Sequence, residues 1–265
     1  MNKHSPIYAT TDLFKHANKS GNLGLLFQRG FNGYNCNWEI DKGDGDNVPK
    51  NQFLYDIVRQ GSESKNGNAA QLGSHIAKRS QMVSQLGGVV QTYTCAWNWA
   101  TGLGYSHAVE NGLTWHHTLG VPYFPGSSVK GLLRAWMETK ENPDLNKIRL
   151  WFGDQENGLN KACSGGLIFF DAIPTKPVAL TVDVMTPHTG KWMAEGGKDN
   201  APGDWIDPVP VFFLSCEGGE LNFAVAQSSH VENVDINEVH KELSQALDYL
   251  GLGAKTSNGY GVFLN

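Results

Sequence analysis

The chain has 265 residues, 40% of them hydrophobic and 18% charged, which is enough apolar material to bury a core and too little charge for a disordered chain. Its net charge of −5, from 21 Lys+Arg against 26 Asp+Glu, excludes a protein that coats nucleic acid non-specifically, because that mode rests on broad phosphate neutralisation. Any contact with RNA or DNA must therefore be local.

The N-terminus lacks the apolar core of a signal peptide and no window reaches ~18 apolar residues, so a soluble, cytoplasmic protein is expected. Residues 1 to about 50 are rich in Gly and Asn and predict an irregular lead-in, with a short apolar anchor at Leu23, Leu25, Leu26 and Phe27. The acidic run DKGDGD resembles a calcium loop only in composition. Asp41, Asp44 and Asp46 miss the ligand spacing and no Glu closes the loop, so it reads as a solvated turn. Two helices are expected around 51–60 and 70–86, split by GSESKNGN.

From Gly87 the pattern becomes regular. GVVQTYTCAWNWA is rich in β-branched and aromatic residues and predicts one strand, ended by TGLG. In PYFPGSSVKGLLRAWM the prolines keep the lead-in extended. Val129, Leu132, Leu133, Trp136 and Met137 then follow an i, i+3, i+4, i+7, i+8 series, an amphipathic helix with Ser127 or Ser128 as its N-cap. Strands are expected over 165–174, 179–185 and 209–216. The strand 221–227 is expected to pair with 209–216 across Glu217, Gly218, Gly219 and Glu220 as a hairpin. Residues 186–208 read as a long loop or projecting hairpin. Ile236, Val239, Leu243, Ala246, Leu247 and Leu250 define a last helix, with Asp235 as its cap and Gly251 suited to the left-handed C′ position. YGVFL closes the chain as a short strand. The order from residue 87 predicts an α+β fold, with the split βαβ core of ferredoxin-like or RRM-like proteins. Residues 1–86 form an N-terminal irregular and helical extension packed on this core of 87–265, and about 186–208 is an insertion.

Two turns could carry chemistry. GLGAKTSNGYG, 251–261, lets backbone N–H groups approach an anion, and Lys255 adds a point charge. Ala254 precedes that lysine and a strand, not a helix, follows, so the loop is neither a Walker A nor a Rossmann turn. A capped helix end and tight turn explain the same residues, and a phosphate- or nucleotide-binding module is a further alternative. In the earlier helix, Lys130 and Arg134 share a face one turn apart, beside the small Ser127 and Ser128 at the positive helix end, an arrangement that attracts phosphate. The alternative there is a solvated polar face. In a split βαβ fold both helices cover one sheet face, so the two turns could line one groove suited to an RNA backbone. His116 and His117 are adjacent and point oppositely on extended chain, so they cannot readily share a metal. His107, His116 and His188 are conceivable general bases, without a second catalytic group nearby in sequence. Cys36, Cys95, Cys163 and Cys216 stand far apart with no C-x-x-C, which fits free thiols rather than a zinc site or disulfide framework.

PYFPGSSVKGLLR together with the terminal GLGAKTSNGYG resembles the RAMP superfamily of CRISPR proteins, with its RRM-like core, PGSS-KG-LR helix start and C-terminal glycine-rich loop. TGLGYSHAVENGLTWHHTLGVPYFPGSS, DVMTPH and DWIDPVPVFFLSCEGGELNFAVA are similar to one branch, the sixth subunit of type III-B (Cmr) effector complexes, over roughly residues 100–265. The resemblance implies a non-catalytic backbone subunit without a cofactor that grips the 3′ part of the CRISPR guide RNA and helps position target RNA. Its implied neighbours are the repeated backbone RAMP subunit, the small helical subunit and the end-capping RAMP subunit of the Cmr complex. Gly126, Ser127, Ser128, Lys130, Arg134, Gly253, Lys255, Thr256, Asn258 and Gly259 are the implied guide contacts. A thumb-like segment carrying His188, Trp192 and Met193 is implied to reach the guide–target duplex. The family often has a tyrosine pair after DVM-PH, and here Lys191, Trp192 and Met193 stand in its place. A transcript-processing, metal-independent endoribonuclease of the RAMP type is the alternative.

Overall fold

The structure is a computed structural model; it describes residues 22–43, 48–64, 66–154, 162–198, 201, 203, 205–229 and 234–264. Asp44 and Asp46 of the acidic run lie outside the described residues. The chain begins with a difference from expectation. The Asn22 side chain accepts the Leu25 N–H at 3.1 Å and starts helix α1, Leu23–Arg29, within the stretch expected to be irregular. Only glycine fits at position 24, where a Cβ would stand 2.9 Å from the Trp115 ring, so the short helix lies flat on that indole. Helices α2, Pro49–Ser64, and α3, Ala69–Gln85, follow near the expected positions. Asn68 caps α3 by accepting from Ala70 and Gln71.

The single strand expected over GVVQTYTCAWNWA, 88–100, is two strands in two sheets. Strand β1, Val89–Cys95, and strand β2, Asn98–Trp99, are separated by a bend at Ala96 and Trp97. A small hairpin of β3, Ser106–His107, and β4, Glu110–Asn111, leads to helix α4, Gly126–Glu138. Helix α5, Leu145–Phe152, is capped by Asp144 and followed by β5, Gly153–Asp154, which pairs with β6, Cys163–Ser164. The expected strand 165–174 is interrupted at 170–172 and yields β7, Leu167–Phe169, and β8, Ile173–Pro174. Then come β9, Leu180–Met185, short helix α6, Gly190–Ala194, β10, Val211–Glu217, β11, Glu220–Gln227, helix α7, Ile236–Tyr249, and β12, Phe263–Leu264.

The first sheet has the order β12-β1-β11-β7, with β8 also on β11, and every pairing in it is antiparallel. The second has the order β2-β10-β9. Strands β9 and β10 pair from Leu180↔Cys216 to Met185↔Val211, so the segment expected as an insertion joins two paired strands. The hairpin expected between β10 and β11 does not form. Gly218 and Gly219 both have positive φ, 47° and 91°, and they carry the chain from one sheet to the other. The Gly218 N–H donates to Trp97 O and the Cys95 N–H to Gly219 O, while the Trp99 indole N–H donates to Gly218 O at 2.9 Å. The two crossings thus run side by side, satisfying backbone groups that a change of sheet would otherwise strand.

Strand alternation assigns the two faces of the first sheet. Tyr93, opposite Leu221, donates to the His240 carbonyl of α7 at 3.2 Å, so the face carrying Tyr93, Leu221, Phe223 and Val225 lies under α7, and α7 packs on α4. Asn222, on the opposite face, meets Arg79 of α3. Helix α7 forms where its period predicts, capped by Asp235, and Gly251 takes φ 71° after it. Val239, Leu243, Ala246 and Leu247 are wholly buried, each leucine contributing about 1.5–3 kcal/mol of burial. Among the described residues no helix is long and apolar enough to cross a membrane.

Candidate nucleic-acid interface

The Pro/Gly lead-in is built for close approach. Pro125, with φ −57° and ψ 144°, is the residue before α4 and offers no side-chain cap. Helix α4 begins at Gly126, so the cap expected at Ser127 or Ser128 falls inside the first turn. A carboxylate distant in sequence does that work: the Gly126 N–H donates to Asp171 Oδ1 at 2.8 Å. Gly126 is needed there because a Cβ would stand 2.3 Å from Phe169 O. It supplies the fit of the helix end onto the β7 edge, and its amide is already engaged. Replacing Asp171 with alanine is expected to cost about 1 kcal/mol, the usual value of an N-cap, read as a lowered urea midpoint with an unchanged slope.

Past this start, Ser127 is exposed and Ser128 half-buried. Lys130 is half-buried and has no ion pair among the described residues, whereas Arg134 Nε pairs with Glu138 Oε1 at 2.8 Å and its Nη1 lies 3.5 Å from Gly153 O. An exposed i, i+4 pair is worth roughly 0.3–0.5 kcal/mol, little enough for an incoming phosphate to share the guanidinium.

The terminal loop is folded by its glycines. Gly251, Gly253, Gly259 and Gly261 all have positive φ, as does Lys255 at 61°. Thr256–Asn258 forms a single 3-10 turn. The loop is tied to β2 and its flanks by Ala254 N–H to Ala100 O and Gly261 N–H to Asn98 O. At Gly253 a Cβ would meet Ala100 O at 2.3 Å and Phe124 Cε1 at 2.6 Å. Phe124 belongs to the PYFPGSS lead-in, so the glycine-rich loop is seated on the platform from which α4 starts. Gly253, Ser257, Asn258 and Gly259 are exposed, Lys255 and Thr256 half-buried. Ser257 Oγ donates to Asn258 Oδ1 at 3.3 Å, leaving the amide N–H groups of Asn258 without a side-chain acceptor among the described residues. The Lys255 ammonium lies 5.1 Å from the Phe213 ring centroid.

Beside this loop is an aromatic row that the residue pattern alone does not reveal. The Tyr260 ring lies 4.8 Å from that of Trp97 and 6.1 Å from that of Phe213, and Trp97 is 51% exposed. Tyr260 donates to the Asp183 carboxylate; burial first, then that carboxylate, push its phenol well above its usual range. The available signal was the pair of tryptophans in CAWNW, which a two-residue period places on one face when in fact a bend separates them.

In the segment between β9 and β10, His188 Nδ1 lies 2.6 Å from Ile206 O. Trp192 is partly exposed and Met193 69% exposed; the Thr189 hydroxyl donates to Met193 Sδ at 3.7 Å. Trp205, at 82% exposure, is a further large apolar side chain of this segment outside the residues singled out by sequence. The other histidines considered as bases serve local structure. His107 stacks on Phe27 at 4.2 Å, sits beside its carbonyl, and accepts the Val109 N–H, with burial lowering its pKa. His116 accepts the Leu119 N–H at 3.3 Å. All four cysteines are free, Cys95 and Cys216 buried and Cys36 and Cys163 exposed. Among the described residues no group of His, Cys, Asp and Glu has the arrangement to hold a metal ion.

An antiparallel sheet backed by two packed helices, with a glycine-rich loop seated on a Pro/Gly helix start, defines a class of α+β protein that presents two backbone turns side by side. The model of one such family, the RAMP superfamily, matches residues 92–263, and the chain belongs to that superfamily. It is similar to the CRISPR system Cmr subunit Cmr6 of Pyrococcus furiosus, 36% identical over 139 residues that cover 50% of this chain and 38% of that protein. It is also similar to the Cmr6 subunit of Saccharolobus solfataricus, 26% identical over 157 residues, 58% of this chain and 48% of that one. The matched stretch thus spans less than half the length of these two relatives. Among solved structures, a chain of the type III-B Cmr-beta complex bound to cognate target RNA shares the fold, with a TM-score of 0.60 at 20% identity over 84% of this chain and 75% of that chain.

Proposed function

We propose that the chain is a non-catalytic, RNA-binding backbone subunit of a type III-B CRISPR ribonucleoprotein, working in the cytoplasm, that grips the 3′ part of the guide RNA and helps position target RNA. The observation that carries this reading is the seating of Gly253 on Phe124, which puts the two turns expected to hold phosphate on one platform. Similarity to Cmr6 subunits supports the assignment to a type III-B assembly. The order β12-β1-β11-β7, with α4 and α7 packed together, supports the split βαβ core of a ferredoxin-like fold.

In this reading Ser127, Ser128, Lys130 and Arg134 hold guide phosphates from one side, and Gly253, Lys255, Thr256, Asn258 and Gly259 hold them from the other. Small residues let the ribose-phosphate chain approach the backbone, and the cations line its path. His188 braces the projecting segment, which bears Trp192 and Met193 as wedges against the guide–target duplex. The partners are the guide RNA, the target RNA, and the repeated backbone RAMP subunit, small helical subunit and end-capping RAMP subunit of a Cmr complex. The acidic total is no obstacle, because assembly supplies effective concentration and the contacts are few.

The test is the combined variant Lys130→Ala, Arg134→Ala, Lys255→Ala, assembled with its partner subunits and titrated with guide RNA across salt concentrations. Losing three phosphate contacts should flatten the log K against log salt slope by roughly 2, at about 0.7 per contact for a single strand. An unchanged slope and unchanged RNA retention reject this site.

A further inference from the structure

A second concavity lies on the sheet face covered by α3. It is a cleft of about 350 Å³, lined along α3 by His75, Lys78, Arg79 and Met82 and completed by His116, Phe170, Asp171 and Ile173. The α3 residues recur at i, i+3, i+4 and i+7, so one helix face supplies a basic wall. Its size falls within the ~300–1,000 Å³ typical of ligand clefts, which combine apolar walls with a few convergent polar groups.

Folding does not account for all of these polar groups. Arg79 is only 6% exposed, and although its terminal nitrogens bond to Asp171 O and Asn222, its buried Nε–H has no acceptor among the described residues. Lys78 is exposed and makes no ion pair among the described residues. The His75 ring meets His116 edge-on at 5.6 Å between centroids and makes no hydrogen bond among them. The single carboxylate of the cleft, Asp171, already accepts the Gly126 N–H. Two permanent cations and two imidazoles therefore face one engaged carboxylate, beside the apolar surface of Met82, Phe170 and Ile173.

We propose that this cleft binds a nucleotide-sized phosphate monoester, its phosphate on Lys78, Arg79, His75 and His116 and its flat base against Phe170, Ile173 and Met82. A dianionic group matches the excess of N–H donors, and the apolar wall gives a planar ring a face to cover. The site is built from α3, the segment at His116 and the break between β7 and β8, and it uses none of the residues assigned to the guide.

Binding is coupled to protons. Burial, then Arg79 and Lys78, lower the His75 pKa against an opposing pull from Asp171. Burial, His75, His117 and Arg79 lower that of His116, again against Asp171. Both rings are thus neutral near pH 7 in the free protein. A bound phosphate favours the charged His75 ring, so the complex takes up a proton, while His116 keeps Nδ1 as the acceptor of the Leu119 N–H and offers only its Nε2–H. Affinity rises as pH falls through the imidazole range and is lost as pH rises above it.

Calorimetry on the full chain with adenosine 5′-monophosphate, adenosine, and a short RNA carrying a 5′-phosphate tests the proposal. The monophosphate should bind more tightly at pH 6 than at pH 7, by less than the roughly tenfold limit for one proton taken up because the phosphate itself protonates near pH 6, and adenosine should not bind. Binding by the phosphorylated RNA but not by the free nucleotide would identify a strand end as the source of the same group. Lys78→Ala should weaken binding about tenfold, and His75→Gln should reduce the pH dependence; neither side chain makes a hydrogen bond or ion pair among the described residues. Equal affinity for adenosine, no binding by either phosphorylated probe, or indifference to both substitutions overturns the proposal. The triple variant at Lys130, Arg134 and Lys255 should bind the monophosphate normally, so failure at one site is distinguishable from failure at the other.

Discussion

Gly253→Ala is expected to destabilise the protein by roughly 3 kcal/mol or more, the combined cost of a strained backbone and an overpacked contact, and to lower the Tm by about 6–12 °C for a chain of this size. At φ 108° an L side chain is strained, and the new Cβ would lie 2.3 Å from Ala100 O and 2.6 Å from Phe124 Cε1. Neither neighbour can yield cheaply. Ala100 O accepts the Ala254 N–H, and Phe124 is wholly buried, with ring contacts to Trp99 and Phe263. Gly259→Ala is the informative control. Its φ is 88°, yet nothing lies within 4 Å of a Cβ there, so only the backbone cost of about 1 kcal/mol remains. Equal melting of the two variants would mean that the loop is not seated on the α4 platform, and the proposed guide site would lose its basis.

Arg79→Met should cost about 3–5 kcal/mol, measured by denaturant unfolding. Arg79 donates to Asp171 O at 2.5 Å, to Asn222 O at 2.9 Å and to the Asn222 side chain. It thereby ties α3 to the sheet at the break between β7 and β8. Burial is the main cause that brings its pKa down to about 10, with Asp171 opposing, so the guanidinium stays charged at neutral pH. Methionine recovers the apolar volume but leaves buried acceptors unpaired, each costing about 1–3 kcal/mol. Arg79→Lys keeps the charge and loses the fork that spans two residues, and should recover only part of the loss. A methionine variant as stable as the parent would show that packing alone holds α3 in place.

The two tests bear on different degrees of legibility. Helix α7 could be read along the chain because its apolar period, its Asp235 cap and its terminal Gly251 are all local. The GLGAKTSNGYG turn and the cations of α4 were legible as residue types for the same reason. The cap of α4 was not. Ser127 and Ser128 are the expected residues for that role, but Asp171, 45 positions beyond Gly126, takes it because the β7 edge brings the carboxylate to the helix start. The β10–β11 connection failed in the same manner. Two glycines between apolar strands suit a hairpin equally well as a change of sheet, and the choice was made by pairing partners, β9 for β10 and β1 for β11, that are distant in sequence. The cleft at His75 and Arg79 left a helical spacing on α3, but its other walls come from 116 and 170–173.

Amino-acid order by itself determined the helices with strong periods, most strand positions, the two small-residue turns and the family to which they point. Those depend on torsional preference, side-chain period and capping, which act within a few residues. Tertiary structure alone decided that Gly253 rests on Phe124, that Asp171 occupies the α4 amide, that the aromatic row runs from Trp97 to Phe213, and that a basic cleft opens beneath α3. Each of these is a contact between segments tens of residues apart, settled by competition among many possible burials rather than by any local preference.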